Sequence, residues 1–417
     1  MGRRLLGGRQ AFVLNNIMRI RELIRYGSEG LKNVFQTIPY LLQVNNPKAP
    51  GYLPVPDPPR GIVGFERSGF AQSFREAHPD RSLREVLAPN PCIQSLSLIG
   101  STGSVGHTSV SDLDYWVCVD KTELGSEGWT ILEAKLKNLS EWARTKRRTE
   151  VTFFLMDTED LRANRLGGLD EDSSGNVMPR LLKEEFYRTL LHVAGRIPLW
   201  WVAPPGASQA EYEHISRSLD RIQSTTLHPL DFVDLGFPEK PDPREFLGAA
   251  MWQAYKSQRD PFKAVLKMIL ILEQVEDNNA PLLCDQVKAA LGVTPPDELP
   301  VDPYIMTIKR VLDFTERRQP QNLELVRFSS WFKLQTPFEP RLSKKENKKG
   351  QVLRDLTAAW GWGKKGSRTC ITTGIGRSGV DSTWARRSRA FCWTCIRPSP
   401  PGCGPISPIR SGWRTTA

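Results

Sequence analysis

The sequence predicts an α+β protein, in which a mixed sheet with flanking helices is followed by a mainly helical domain and a disordered basic tail. The sheet is predicted by an apolar run at residues 95–99, a small-residue loop, and a second apolar segment at 112–119 that begins with alternating acids. That order is typical of strand, loop and strand. The helical part is predicted by apolar residues that recur every three or four positions.

Composition limits the class of protein. A chain of 417 residues can hold two domains. It has no run of eighteen apolar residues, so no transmembrane segment is expected, and its first residues are too broken a pattern for a signal peptide. Seven scattered cysteines without an even framework favour a reducing compartment, and we expect a cytoplasmic protein.

The positive charge is concentrated at one end of the chain. The net charge is +11, but from residue 341 onward 16 Lys and Arg stand against three Asp and Glu, which makes that segment +13 and the remainder −2. Because the basic residues lie in the tail and not across the predicted sheet, no nucleic-acid partner is expected.

The order of patterns predicts four parts. Residues 1–59 hold amphipathic helices and a proline-rich connector, 60–194 form the catalytic domain, 195–362 a helical domain, and 363–417 the tail. Residues 167–176 are glycine-rich and acidic, which predicts a surface loop or a lid.

Two acids follow the glycine-rich loop at the spacing of a strand. Residues i and i+2 of a strand point to one face, so Asp112, Asp114 and Trp116 are expected side by side. Neighbouring carboxylates repel each other, and a hard cation such as Mg²⁺ removes that cost. The loop lacks the Gly-Lys-Ser/Thr of a P-loop, but its small residues let backbone N–H groups approach a polyphosphate. The predicted phosphate contacts are Gly100, Ser101, Gly103 and Ser104.

Gly-Ser followed by Asp-x-Asp resembles the nucleotidyltransferase superfamily related to DNA polymerase β. The longer string GSTGSVGHTSVSDLDYWVC is similar to one family in it, the class I adenylate cyclases of proteobacteria. The stretches LLQVNNPKAPGYLP, EVTFFLMD, LLKEEFYRT and EFLGAAMWQAYKSQRDPFKAVLKMILIL agree, and the resemblance runs from about residue 10 to about residue 362. It implies a polymerase β-like sheet and an adenylate cyclase, a phosphorus–oxygen lyase that makes cyclic AMP.

The resemblance also implies roles for individual residues. Asp112 and Asp114 would hold two Mg²⁺ ions, or Mn²⁺, against ATP. A third carboxylate on a neighbouring strand would complete the metal shell or accept the proton; Glu150 is the first candidate and Asp157 its rival.

Cationic and aromatic side chains are the remaining candidates. Arg188 and Lys263 could pair with the triphosphate, and Trp116 could border the base or ribose. Each has an ordinary alternative: Arg188 and Lys263 as solvated helix charges, and Trp116 as core packing.

The tail departs from the family after residue 362. It contains four of the seven cysteines with many Arg, Ser, Gly and Pro, and it shows no helix or strand period, so we expect disorder. We hypothesise a reading-frame shift near residue 363. The regulatory C-terminal region of the family is expected to be absent.

The same chemistry leaves two alternative functions open. Paired acids and two metal ions also serve an intermolecular nucleotidyltransferase, which differs only in the origin of its nucleophile. A non-catalytic nucleotide- or RNA-binding protein is the second alternative, and its binding would depend strongly on salt.

Overall fold

The computed structural model describes residues 2–77, 82–108, 111–166, 179–221, 227–277, 280–295, 298, 300–334, 348–362, 375–376, 379–380 and 382–395. The helices are α1 Gly2–Tyr26, α2 Glu29–Leu41, α3 Gly69–Ala77, α4 Lys121–Arg147, α5 Thr158–Arg162, α6 Pro179–Thr189, α7 Leu199–Val202, α8 Gln209–Arg217, α9 Pro243–Lys256, α10 Pro261–Glu276, α11 Leu283–Val293, α12 Pro303–Arg318, α13 Leu323–Leu334, α14 Lys348–Ala359 and α15 Ser382–Cys395. The strands are β1 Arg60–Ile62, β2 Pro91–Ile99, β3 Leu113–Val119, β4 Val151–Asp157, β5 Leu191–Gly195, β6 Ile197–Pro198, β7 Phe232–Val233, β8 Ile375–Gly376 and β9 Gly379–Val380.

The predicted mixed sheet is confirmed; it has five strands and is built around β2. One edge of β2 pairs antiparallel with β3, which pairs parallel with β4. On the other edge, β1 lies parallel to the start of β2 and β5 antiparallel to its end. Because β3 and β4 are parallel, the chain must cross over between them, and α4 makes that connection. Asp120 caps α4 by accepting from the amides of Thr122 and Glu123.

The two faces of the sheet carry separate apolar cores, which follows from the period-2 alternation of β3. Leu113, Tyr115 and Val117 face a core shared with α2 and α4, whereas Trp116 and Cys118 face a second core shared with α6 and α7. With both faces covered, β3 is apolar at almost every position between its acidic start and its end.

The chain divides into two compact units, residues 1–245 with 281–306, and residues 246–280 with 307–417. This division differs from the boundary predicted at residue 195, because 281–306 returns to the first unit: α11 packs on α6 and α1. The finer division into four parts stays a prediction.

The described part of the second unit is helical apart from the short pair of strands β8 and β9. Its core joins α9, α10, α12, α13 and α15 and includes Val265, Ile269 and Phe314. Within the tail, the structure places helix α15, whose Cys392 is fully buried in that core, although the sequence shows no helical period there. Apart from β8, β9 and α15, the residues of the tail lie outside the described residues, and so does the predicted loop at 167–176. In the described part of both units, no helix is long and apolar enough to cross a membrane.

Candidate active site

The two acids of the motif lie at the start of β3. Asp114 is the second residue of the strand and half-buried, and Asp112 precedes the strand and is exposed. The face of Asp114 is also that of Trp116 and Cys118, since all three are an even number of residues apart. The acids therefore lie at the start of the strand, before the residues that face the apolar core.

The register of β3 and β4 separates the two candidates for a third carboxylate. Leu113 pairs with Val151, and the Leu113 amide donates to the carbonyl of Glu150 at 3.0 Å, so Glu150 precedes β4 at the same end as Asp112. Asp157 pairs with Val119 at the opposite end. At about 3.3 Å per residue, five residues put Asp157 about 16 Å along the sheet from the level of Asp114. The Asp157 carboxylate accepts instead from the amides of Lys121 and Asp160.

The glycine-rich loop between β2 and β3 is a series of tight turns. Gly100 and Gly103 have φ values of +83° and +67°, a region that favours glycine. The Ser104 amide and hydroxyl both donate to the Ser101 carbonyl, and the Gly100 amide donates to Thr189 Oγ1 at 2.9 Å. Within the described residues, the consecutive amides of 101–103 make no hydrogen bond, so they are candidates for binding an anion.

Arg19 of α1 holds this loop from behind. Its guanidinium donates to the carbonyls of Thr102 and Gly103 in the loop, at 3.2 and 3.1 Å, and to those of Thr189 and Leu190 at the end of α6, at 2.8 and 2.6 Å. The side chain is buried, and that burial lowers the pKa of Arg19 to about 10. Four main-chain acceptors compensate the buried cation and fix the loop against β5.

The loop is held a second time by the segment before α12. Asp302 accepts from the Val105 amide at 2.7 Å and from the amides of Tyr304 and Ile305 at the start of α12. Burial raises the pKa of Asp302, and the positive charge of Arg19 opposes that rise. Gly106 faces the Tyr304 ring so closely that a Cβ there would lie 2.7 Å from it. A residue nearly 200 positions away thus sets the course of the loop.

Two of the predicted nucleotide contacts lie in the interior. Trp116 is 1% exposed and its ring stacks on Phe186 with centroids 4.3 Å apart, so the packing alternative is favoured. Arg188 is buried and its Nε pairs with the Glu184 carboxylate at 3.1 Å. The same carboxylate accepts from the Cys284 amide, which ties α6 to α11.

Lys263 lies in the second unit, exposed on the first turn of α10, where its amide is capped by Asp260. Among the described residues, no three His, Cys, Asp or Glu side chains are grouped to hold a metal ion. The register therefore brings Asp112, Asp114 and Glu150 to one end of the sheet without assembling them into a closed site.

Arg19 and Asp302 are site residues that sequence reasoning missed. Asp302 immediately precedes a helix, where an acid commonly caps the first turn, so it gives no signal of a contact with the loop. The only available signal was an arginine among apolar residues of α1, at a position that the helical period places on the buried face.

Two family models match the chain. The model described as "Adenylate cyclase NT domain" matches residues 6–201, and "Adenylate cyclase, class-I, second domain" matches residues 242–373. The first covers the sheet, the glycine-rich loop and both acids, and the second covers most of the second unit.

Curated relatives agree with the family models. The chain is 31% identical over 356 residues to the protein named adenylate cyclase of Shigella flexneri, 32% to that of Salmonella typhimurium, and 30% over 361 residues to that of Haemophilus influenzae. Each alignment covers 82–83% of this chain but only 41–42% of the relative, so the chain spans about two fifths of their length. No solved structure matches.

Proposed function

The chain belongs to the class I adenylate cyclase family, and on that premise we propose that it converts ATP to 3′,5′-cyclic AMP and pyrophosphate. The observation that carries the proposal is that two acids at the start of β3 lie in one unit with a glycine-rich loop whose amides at 101–103 make no hydrogen bond within the described residues. The relatives named adenylate cyclase are longer than this chain, so the activity of this chain is tested by a direct assay.

The donor set suits a hard divalent cation. Mg²⁺ is commonly bound through one or two carboxylates together with substrate phosphates, so Asp112 and Asp114 would hold it when ATP is present, with Glu150 from the neighbouring strand. The bound ions would lower the pKa of the ribose 3′-hydroxyl and neutralise the leaving pyrophosphate.

The chain's own groups supply the rest of the chemistry. The amides of 101–103 and the hydroxyls of Ser101 and Ser104 would bind the β- and γ-phosphates. Binding of these phosphates would orient the α-phosphorus toward the acids and would restrict the motion of the nucleotide before the reaction. Glu150, exposed immediately before β4, would accept the proton of the attacking hydroxyl.

Incubation of the purified chain with ATP and Mg²⁺ alone tests the proposal. Cyclic AMP with no acceptor present is expected, and Asp112→Asn or Asp114→Asn should each lower its formation at least about a hundredfold, because the carboxylate that would hold the charge-neutralising metal ion is lost. No cyclic AMP from ATP alone, together with transfer of the adenylyl group once a hydroxyl acceptor is added, would identify an intermolecular transferase instead.

The third carboxylate is tested by a matched pair of variants. Glu150→Gln is expected to lower the rate about a hundredfold with little change in the melting temperature. Asp157→Asn should lower the melting temperature, because it weakens the acceptor of two amides, while the rate per folded molecule stays within a few fold. The reverse pattern would move the role to Asp157.

A further inference from the structure

The first unit contains a large cavity that is separate from the nucleotide site. It lies among α1, α2, α3 and β5, has a volume of about 940 Å³, and shares no lining residue with the acids or the glycine-rich loop. Sites for small molecules commonly measure about 300–1,000 Å³, so this cavity is large enough to enclose a whole ligand.

The wall of the cavity is mainly apolar and includes two pairs of aromatic rings. Tyr40 and Phe74 stack with ring centroids 5.6 Å apart, and Phe35 meets the edge of Phe70 at 5.4 Å. Ile17 on α1 also lines the cavity and keeps 41% of its surface exposed. An exposed isoleucine next to a ring of aromatic side chains is apolar area that a ligand would remove from water.

The charges of the lining are unbalanced. Three arginines line the cavity, Arg9, Arg21 and Arg67, whereas Asp231 is the one carboxylate among the described lining residues. Arg67 Nη1 pairs with Asp231 Oδ1 at 2.5 Å, and its Nε lies 3.7 Å from the carboxylate of Glu66, which is outside the lining. Even with Glu66 counted, three cations stand against two carboxylates, and this surplus of positive charge favours an anion.

The strand side of the cavity adds a polar group. His192 of β5 lines it, and within the described residues its Nδ1 is shielded from water and has no hydrogen-bond partner. Asn16 of α1 fixes the strand here, donating to the His192 carbonyl and accepting from the His192 amide, both at 2.8 Å. Burial lowers the pKa of His192 to about 4, so the ring is neutral and offers a hydrogen bond without a charge.

From this combination we propose that the cavity is a binding site for a small amphipathic anion, with an apolar body seated between α1 and α3 and a single carboxylate or sulfonate at the arginines. Neither the adenylate cyclase reaction nor any residue of the nucleotide site enters this proposal, so it stands or falls separately from the proposed function.

Titration of the full chain with anilinonaphthalene sulfonate, an apolar aromatic anion whose fluorescence rises in apolar surroundings, tests the proposal. Saturable binding at one site is expected. Ile17→Glu should weaken it about tenfold, because a carboxylate in the wall repels the sulfonate and is costly to bury. Leu14→Glu is the matched control: the same helix, 40% exposed, but outside the cavity. Equal binding by the two variants, or no saturation in the unmodified chain, would overturn the proposal.

A second pair of variants separates charge from structure. Arg67→Gln and Asp231→Asn break the same ion pair, so a purely structural effect would change the affinity for the probe in the same direction in both variants. The proposal requires opposite directions: Arg67→Gln should weaken the probe by about three- to tenfold, and Asp231→Asn should tighten it. Decanoate should displace the probe at a lower concentration than decanol does. Equal displacement by the two compounds would show that the cavity does not prefer an anion and would overturn the proposal.

Discussion

Among single residues, Arg188 shows best how burial decides a role. Its guanidinium and the Glu184 carboxylate are 8% and 5% exposed, and the carboxylate also holds the start of α11. A cation placed in this way is already committed to a partner inside the protein. We therefore interpret Arg188 as a fixed joint between α6 and α11 in preference to a triphosphate ligand.

Arg188→Met should lower the free energy of unfolding by about 3 kcal/mol, because it leaves Glu184 charged, buried and without its cation. Arg217→Met is the control: it removes another i,i+4 pair, 72% and 51% exposed, and should cost less than about 1 kcal/mol. Urea denaturation measures both. A raised KM for ATP in Arg188→Met with unchanged stability would return Arg188 to the nucleotide site.

Lys288 of α11 makes stability depend on pH. Burial lowers the pKa of Lys288 to about 7, against the partial opposition of Asp285, and its ammonium lies 4.1 Å above the Trp200 ring. Between about pH 7 and the ordinary lysine pKa, the unfolded chain therefore binds more protons at this group than the folded chain does. In that window the contribution of Lys288 to the free energy of unfolding rises with pH, by at most about 1.4 kcal/mol per unit.

Lys288→Met should remove that slope. The free energy of unfolding of the variant should fall further below that of the unmodified chain as the pH rises from 7 to 9. Only the unmodified chain is stabilised over this range, because its folded state has already released the proton of Lys288. Denaturant unfolding at the two pH values measures the change. Lys309→Met, at an exposed position of α12, should show the same pH dependence as the unmodified chain. A Lys288→Met difference that does not vary with pH would mean that the ammonium is solvated.

At the scale of elements, the glycine-rich loop is shaped by contacts on several sides. Arg19 holds its carbonyls, Asp302 one of its amides, and the Tyr304 ring lies against Gly106. Its strand, loop and strand could be predicted from sequence because apolar alternation and small residues act locally. Its conformation could not be predicted, since the groups that fix it come from α1 and from the start of α12.

Gly106→Ala should lower the rate of cyclic AMP formation by about tenfold or more, because the new methyl group would meet the base of the Tyr304 ring and displace the loop by a fraction of an ångström. The double variant Gly106→Ala with Tyr304→Ala should recover part of the rate. Gly69→Ala is the control, with nothing within 4 Å of its Cβ. An unchanged rate in Gly106→Ala would show that the loop tolerates the shift.

At the scale of the whole molecule, the first unit is assembled from two separate stretches of sequence. The hydrogen bond from Val105 to Asp302 joins residues 197 positions apart. Sequence periodicity predicts helices and strands but carries no information about such a return, which is why the boundary predicted near residue 195 differs from the observed units. The mixed sheet was predictable, and so was the end of the sheet at which the acids lie. The reading-frame shift near residue 363 stays a hypothesis.

Asp302→Ala should lower the free energy of unfolding by about 2–4 kcal/mol, because the buried Val105 amide loses its acceptor and Arg19 loses a compensating charge. It should also lower the rate of cyclic AMP formation. Asp313→Ala, exposed on α12, is the control and should leave both unchanged. Thermal unfolding and a cyclic AMP assay give the two readouts. Full activity in Asp302→Ala would show that α1 alone is sufficient to support the loop.

The four acceptors of Arg19 are all carbonyl oxygens of the main chain. Any amino acid provides such an oxygen, so positions 102 and 190 can change type without depriving the guanidinium of a partner, provided that the backbone keeps its path. Position 103 is restricted by its positive φ and position 189 by the hydrogen bond that its hydroxyl accepts from Gly100. The guanidinium has no substitute of equal reach and fork shape. A saturation library is therefore expected to recover varied residues at positions 102 and 190 and almost none in place of Arg19.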